Sequence, residues 1–260
     1  MKKKDIIKRV RFHGRGGQGM KTASRIVGTA AFVEGYYAQD FPVYGAERRG
    51  APIMAFTRLS DNPILERGII TQPDINIIAD ETLLHDNAAK VLQGVDSGTI
   101  TMVNTHYTPT HVKETYSVKG EVATVDITET VLKIINKPAL SSVAAACACK
   151  LTGMISRDSL KEAVTRELTD IHLKRESIDK NVEAALVCFD NTPDISAAGS
   201  KHSKGCNGNS IVRLKYADPC VGTPSVYAMG NTIDKKTGNW RLYKPVIDYD
   251  ECSMCRACFV

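Results

Sequence analysis

Apolar and polar residues follow one another in residues 1–140 in a pattern typical of strands separated by helices. A β-type run at residues 6–12 leads into a glycine-rich stretch, and residues 20–33 then have apolar positions at helical spacing. This alternation predicts an α/β domain with a doubly wound, mostly parallel sheet. The further predicted strands are residues 35–39, 52–59, 74–79, 99–103 and 122–125.

Helices are predicted where a capping residue precedes an apolar run. Asp80 is expected to cap a helix that extends to Leu92, and Asp126-x-x-Glu129 has the form of a capping box before another helix. The apolar faces of the later helices need only core packing to explain them. These later helices are predicted at residues 142–152, 156–169 and 177–189.

The composition changes after Asp190. Residues 191–239 are rich in Gly, Pro, Ser, Asn and Lys and have little periodicity, which indicates a linker or an extended strap on a neighbour's surface. We therefore predict an α/β domain at residues 1–190, this linker, and a short terminal segment at residues 240–260.

Composition and charge exclude some classes of protein. The chain has 260 residues, of which 43% are hydrophobic and 24% charged, as in ordinary soluble proteins. A net charge of +5 without a basic, aromatic-rich stripe does not predict nucleic-acid binding, and it suits an acidic partner surface or an anionic ligand. No apolar run is long enough for a signal peptide or a membrane span, so we expect a cytoplasmic protein.

The eight cysteines are unevenly distributed, since none precedes Cys147. Cys252, Cys255 and Cys258 have the C-x2-C-x2-C spacing of bacterial ferredoxins, in which a fourth cysteine follows after three more residues. A zinc knuckle is the alternative, but zinc sites usually separate two C-x-x-C pairs by a longer span. The motif predicts three of the four ligands of an iron–sulfur cluster, and we expect the natural chain to continue beyond Val260.

The motif Gly14-Arg15-Gly16-Gly17-Gln18-Gly19 satisfies the G-x-G-x-x-G dinucleotide fingerprint. Asp40 lies about 20 residues further on, where a ribose-binding acid is expected. The bulky polar residues and the extra glycine indicate backbone amides wrapped around an anion or a partner loop. A tight strand-to-helix turn without any ligand fits the same residues.

Two segments, residues 12–19 (FHGRGGQG) and residues 44–52 (YGAERRGAP), resemble the gamma subunit of 2-oxoacid:ferredoxin oxidoreductases. Residues 237–247, which lead into the terminal cysteines, resemble the start of the ferredoxin-like delta subunit of the same enzymes. The chain is therefore similar to a gamma–delta fusion that stops early in delta, with residues 1–190 as the gamma-type domain and residues 240–260 as the start of a ferredoxin-like domain.

This resemblance implies a heteromeric enzyme with alpha and beta subunits as partners. Thiamine diphosphate and magnesium would lie on those subunits, and electrons would pass through 4Fe–4S clusters to ferredoxin, with two clusters expected in the full-length chain. Pyruvate is the default substrate, and coenzyme A would be bound if pyruvate is used. A fused gamma–delta chain is also associated with oxalate oxidoreductase, which splits oxalate to carbon dioxide without coenzyme A.

The resemblance also assigns residues. Cys252, Cys255 and Cys258 match cluster ligands, and no catalytic residue is assigned to this chain. Two loops match those that face the catalytic subunits, where their amides and an arginine would meet an anionic group or order a partner loop. An interface ion pair explains the second loop equally well. The loop residues are Gly14 to Gly19 together with Glu47, Arg48 and Arg49.

Some residues and functions have competing interpretations. His13 could act as a general base, although a packing histidine is the simpler expectation, and Cys206 and Cys220 have no assigned role. Two rival functions are an NAD-dependent Rossmann oxidoreductase with a terminal metal knuckle and a non-catalytic scaffold with a zinc-binding tail. Buried structural roles are expected for Cys147, Cys149 and Cys188.

The terminal cysteine motif predicts the metal content of the protein. The full gene product, purified anaerobically, should contain iron and acid-labile sulfide and give an electron paramagnetic resonance signal when reduced. Cys255→Ser should lower the iron content because it removes a thiolate ligand, whereas Cys149→Ala should leave it unchanged. Zinc as the sole metal of the parent protein would favour the zinc-knuckle alternative.

Overall fold

A six-stranded mixed sheet lies at the centre of the first of two units, residues 1–205 and 206–260, into which the chain divides. The computed structural model describes residues 6–42, 50–87, 89–195, 248 and 250–252. The strands of the sheet are β1 (Ile7–Arg15), β2 (Tyr37–Pro42), β3 (Pro52–Ser60), β4 (Ile75–Ile78), β5 (Ile100–Val103) and β6 (Glu121–Thr124).

The strands lie in the order β2-β3-β1-β4-β5-β6. The pairings β1–β4, β4–β5 and β5–β6 are parallel, while β3 is antiparallel to both of its neighbours, so the predicted mostly parallel sheet is confirmed. After β1 the chain continues to the β2–β3 side, and after β4 it continues towards β6. The carboxyl ends of β1 and β4 are therefore the point where the chain changes direction across the sheet, which is where sheets of this kind open a crevice.

Helices and turns connect these strands. No helix among the residues that the structure describes is long and apolar enough to cross a membrane. A 3-10 helix lies at Glu81–Leu84. The α-helices are α1 (Met20–Val33), α2 (Pro109–Thr115), α3 (Ile127–Ile134), α4 (Ser141–Thr152), α5 (Arg157–Asp170) and α6 (Arg175–Asn191).

The predicted helix from Asp80 to Leu92 is wrong. Asp80 does act as an N-cap, since its side chain accepts a hydrogen bond from the Thr82 amide, but only one 3-10 turn follows. Lys90 then has a left-handed φ of 47°, which a continuous right-handed helix does not allow. Helix α2 was not predicted, although Thr108 caps it and Pro109 occupies its first turn, which is a common start signal.

The two faces of the sheet bury separate apolar clusters. One face packs against α1 and α4, on which α5 and α6 pack in turn, and α4 lies so deep that its residues are almost entirely buried. Cys147, Cys149 and Cys188 are all fully buried in this core, which confirms their structural role, and burial raises the pKa of Cys188 to about 11. Helix α2 and the 3-10 helix contribute to the cluster on the opposite face.

A polar pair lies within the sheet on that opposite face. Arg11 of β1 is only 3% exposed, and its Nε donates to Asn76 Oδ1 of β4 over 3.2 Å. Its second contact is a 3.0 Å hydrogen bond from a terminal guanidinium nitrogen to the Val91 carbonyl oxygen. Because these acceptors are neutral, burial lowers the pKa of Arg11 to about 10. The bond to Val91 also explains how the irregular segment after the 3-10 helix is held against the sheet.

Substitution of Gly19 tests whether the close approach of α1 to α4 requires a glycine at this position. Its φ is +80°, and a Cβ built on it would lie 2.9 Å from the Cβ of Ser141. Gly19→Ala should therefore lower the free energy of unfolding by about 3 kcal/mol, from backbone strain and from the displaced helix. Urea denaturation measures this change.

Gly35 is the matched control because it combines a φ of +92° with no atom within 4 Å of a built Cβ. Gly35→Ala should cost only about 1 kcal/mol, from the backbone conformation alone. Equal losses in the two variants would show that the approach of α4 does not constrain residue 19.

Candidate functional site

The glycine loop joins β1 to α1 with little free space. A Cβ on Gly14 would lie 2.6 Å from Met20 Cγ and 3.0 Å from Gln18 Oε1, so any larger residue would have to displace these two side chains. The Gln18 side chain closes the loop by accepting a 2.7 Å hydrogen bond from the Arg15 amide, and the Gln18 amide donates to the Arg15 carbonyl oxygen over 3.0 Å. The loop is therefore a self-bonded turn in which Gln18 is a structural member.

The two segments that carried the family resemblance meet at this loop. The Gly16 amide donates to the Ala51 carbonyl oxygen over 2.8 Å, and the Gly50 amide donates to the Gly16 carbonyl oxygen over 3.1 Å. A terminal guanidinium nitrogen of Arg15 donates to the Gly50 carbonyl oxygen over 3.2 Å. Two stretches that are more than 30 residues apart in sequence thus form one surface at the end of β1.

Asp80, which follows β4, ties the glycine loop to the neighbouring strand. Its Oδ2 accepts a 3.0 Å hydrogen bond from Gln18 Nε2 and lies 3.2 Å from Arg15 Nε, while its Oδ1 accepts from the Thr82 amide over 3.0 Å. Burial alone would raise the pKa of Asp80, but the hydrogen bonds from Thr82 and Gln18 and the charge of Arg15 together lower it. Asp80 is therefore held as a carboxylate that fixes both the loop and the 3-10 turn.

A crevice of about 720 Å³ opens beside Asp80, at the carboxyl ends of the parallel strands. We call it the switch-point crevice, because it lies where the chain changes direction across the sheet. Its described lining includes Gly16, Gly17 and Asp80, together with the apolar residues Leu132 and Pro138. Its volume lies within the range of small-molecule binding sites. The other lining residues are Gln18, Ala79, Glu81, Thr82, Asn104, Thr105, His106, Asp126, Thr128, Glu129 and Leu140.

Asn104 holds the far side of the crevice. It follows β5, and its Nδ2 donates to the Ala79 carbonyl oxygen and to Thr128 Oγ1, both over 2.8 Å. Its Oδ1 accepts from the Ile127 amide over 3.1 Å at the start of α3. One side chain thus joins the ends of β4 and β5 to α3 and fixes the positions of these three elements relative to one another.

The dinucleotide interpretation of the glycine motif does not fit this topology. In that fold the strand after the first helix pairs parallel with the first strand and presents the ribose-binding acid beside the loop. Here β3 separates β2 from β1, and Asp40 on β2 instead lies against Gly28 in the middle of α1. Asp40 is not among the residues that line the crevice, so the NAD-dependent alternative loses its structural basis.

His13 is a packing residue, as the simpler expectation had it. It is 1% exposed, and burial, with a smaller contribution from the charge of Arg11, lowers its pKa to about 3. Its Nε2 has no hydrogen-bond partner among the residues that the structure describes. A side chain that is closed off from solvent and neutral at physiological pH is poorly placed to exchange protons with a substrate.

Several predicted site residues lie outside the described residues, and their roles stay predictions. They are Glu47, Arg48 and Arg49 of the second loop and the cluster cysteines Cys255 and Cys258. Cys252 is described and is partly buried. Within the described ranges, no group of three or more His, Cys, Asp or Glu side chains is placed to hold a metal ion.

The sequence did not identify Asp80, Asn104 and Asp126 as members of one site. One sequence signal could have identified all three, because each lies within two residues of the end of a strand in the parallel part of the sheet. The carboxyl ends of parallel strands lie at one edge, so polar residues at these positions converge. Asp80 and Asp126 were predicted only as helix caps, which they also are.

Asp80→Asn should separate the role of the charge from that of the cap. Asparagine still caps the 3-10 turn, but the ion pair to Arg15 is lost, so the free energy of unfolding at pH 7 should fall by about 1–2 kcal/mol. Because folding lowers the pKa of Asp80, its contribution is present above its ordinary value of 3.8 and is lost as the pH falls through the lowered pKa. The difference between parent and variant should therefore shrink in acid.

Urea denaturation at pH 7 and pH 3 measures this, with Asp126→Asn as the matched control. Asp126 caps α3 by accepting from the Glu129 amide over 2.8 Å, and no lysine or arginine among the described residues is ion-paired with it. A stability loss in Asp80→Asn no larger than in Asp126→Asn would exclude a role for the Arg15 ion pair.

Comparison with known proteins agrees with this arrangement. The family model described as pyruvate ferredoxin/flavodoxin oxidoreductase matches residues 9–190. The common subunit gamma of the pyruvate/ketoisovalerate oxidoreductases of Thermococcus kodakarensis is 39% identical over 184 residues, which cover 70% of this chain and 96% of that protein.

Solved structures share the fold. Pyruvate oxidoreductase subunit PORC of Thermotoga maritima is 29% identical, with a TM-score of 0.60 over 71% of this chain and 96% of that one. The fold alone is shared with a 2-oxoglutarate:ferredoxin oxidoreductase of Magnetococcus marinus, which is 19% identical, with a TM-score of 0.53 over 75% of this chain and 32% of that one. Through residues 9–190, this chain belongs to the pyruvate ferredoxin/flavodoxin oxidoreductase family.

Proposed function

We propose that this chain is the gamma-type subunit of a thiamine diphosphate-dependent 2-oxoacid:ferredoxin oxidoreductase, in a heteromer with alpha and beta subunits. The observation that carries the proposal is the meeting of its two family-like segments, through the bonds of Gly16 with Gly50 and Ala51. The near-complete coverage of the Thermococcus kodakarensis gamma subunit supports the same role.

The described residues suit a subunit that supports chemistry on its partners. His13 is buried, Gln18 and Asp80 hold the loop, and the glycine loop presents backbone and polar groups at the strand ends. In this proposal thiamine diphosphate and magnesium are held by the alpha and beta subunits, and this chain packs on them.

The terminal part extends the proposal to electron transfer. Cys252, Cys255 and Cys258 would hold a 4Fe–4S cluster, and the full-length chain would carry two such clusters that deliver electrons to ferredoxin. Residues 1–190 would then be the gamma-type domain, residues 191–239 the linker, and residues 240–260 the start of a ferredoxin-like domain. A cytoplasmic location is part of the same proposal.

The substrate is either pyruvate or oxalate in this proposal. Pyruvate is favoured by the names of the relatives, which are subunits of pyruvate oxidoreductases. Coenzyme A would then be a second substrate of the assembled enzyme, and the Magnetococcus marinus structure contains coenzyme A. Oxalate would need no coenzyme A, so dependence on coenzyme A separates the two.

Copurification and turnover test the proposed function. The tagged full-length chain, expressed anaerobically in its own organism, should copurify with two further chains that carry thiamine diphosphate. The complex should reduce ferredoxin with pyruvate only when coenzyme A is present. Reduction with oxalate in the absence of coenzyme A would assign the other substrate.

A chain that purifies alone, without thiamine diphosphate, would contradict the proposed function itself. Nicotinamide reduction by the isolated chain would instead support the dehydrogenase alternative. A matched preparation of the same tagged chain with Gly14→Val, which would place side-chain atoms against Met20 and Gln18, should lose its partners because the loop is displaced.

A further inference from the structure

Arg15 is the residue at which three segments that are distant in sequence come together. Its Nη1 donates to the Gly50 carbonyl oxygen over 3.2 Å, its Nη2 donates to Thr82 Oγ1 over 2.6 Å, and its Nε lies 3.2 Å from Asp80 Oδ2. Every nitrogen of the guanidinium thus has an acceptor within the chain. One planar group therefore connects the glycine loop to the turn after β4 and to the residues that lead into β3.

The acceptors of Arg15 are themselves held in place. The Thr82 hydroxyl donates to Asp80 Oδ1 over 2.5 Å, and the Gly50 amide donates to the Gly16 carbonyl oxygen over 3.1 Å. Two closed rings of bonds, one through Gly50 and Gly16 and one through Thr82 and Asp80, share the same guanidinium. A shift of either ring therefore strains the bonds of the other.

The place of these bonds in the molecule indicates a role beyond stability. The Arg15 side chain is 31% exposed, so the two rings lie at the surface, where a single ion pair contributes little to the free energy of unfolding. Gly50 directly follows Arg49 in the sequence, so Arg15 holds the carboxyl-terminal end of the second family-like segment, residues 44–52. Only a guanidinium offers donors in three directions within one plane.

We propose that Arg15 is a positioning residue, which fixes the end of the second family-like segment relative to the turn after β4 so that the catalytic subunits can bind the surface formed by both. The inference rests on the proposed function, because it needs the catalytic subunits as partners. Arg15 acts through Gly50 and Thr82 in this role. An arginine that binds an anionic cofactor needs an unengaged nitrogen, whereas those of Arg15 are engaged within the chain.

Arg15→Lys in the full-length chain tests the proposal through assembly. Lysine keeps the positive charge beside Asp80, but it cannot also bond to Gly50 and Thr82. The affinity for the purified catalytic subunits should therefore fall roughly tenfold, because the two segments are no longer held together. Thermal unfolding verifies that the variant retains its fold.

Arg157→Lys is the matched control, because it makes the same change at another exposed arginine. Arg157 of α5 donates to the Asp190 carboxylate of α6 through Nε and a terminal nitrogen, both over 3.2 Å. This substitution should leave the affinity for the catalytic subunits unchanged.

Hydrogen exchange separates positioning from a purely local effect on stability. Thr82→Val removes the hydroxyl that Arg15 bonds to and keeps the shape of the side chain. Exchange of the Gly50 amide, measured by mass spectrometry of peptides that contain it, should become faster in this variant because Arg15 is held less firmly. In the Arg15→Lys background, Thr82→Val should add no further change, since residues that act through one another have non-additive effects.

Three results would overturn the inference while leaving the proposed function intact. They are parent-like assembly of Arg15→Lys, unchanged exchange at Gly50 in Thr82→Val, and additive effects of the two substitutions, which would show that the bonds of Arg15 act independently. If the parent chain itself does not bind catalytic subunits, the proposed function fails and the inference fails with it.

Discussion

The parallel pairing of β1 with β4 is the constraint on which the rest of the site depends. β1 is antiparallel to β3 on one side and parallel to β4 on the other, so the chain leaves its two central strands in opposite directions. The glycine loop after β1 and the turn after β4 must then diverge from neighbouring points. The crevice between them follows from this topology and would exist with many different side chains.

Particular side chains then set the chemistry of that crevice. The Asp80 side chain forms an ion pair with Arg15 and a hydrogen bond with Gln18. The single arginine of the glycine loop is therefore already paired within the chain. Asn104 joins the ends of two strands to α3 and keeps Asp126 and Glu129 on the same edge. The described lining of this crevice therefore includes four carboxylates as well as apolar side chains.

The described residues around the glycine loop are engaged in holding the fold. A subunit whose histidine beside the loop is buried, and whose polar loop residues are engaged in fixing the loop, contributes shape and charge. In a multi-subunit oxidoreductase those are the properties that select and orient partners. Both rival functions drawn from the sequence depend on local motifs, and strand order removes the basis of the dinucleotide motif.

The sequence by itself determined the local elements and the family. The period of the apolar residues predicted α1 and most strands correctly, because burial on one side imposes that period on a helix or strand directly. It predicted a helix after Asp80 and missed α2, since a capping residue signals a start without determining how far a helix continues.

Only the tertiary structure decided which motif residues form a site. Gly16 meets Gly50, Asp80 meets Arg15, and Asn104 meets Thr128 through pairings between strands and turns that are far apart in the chain. The spacing of these residues in the sequence does not reveal how close they lie in the folded chain. The net charge of the whole chain is +5, yet the described lining of the crevice includes four carboxylates, because folding brings acidic residues from the ends of two separate strands to one edge.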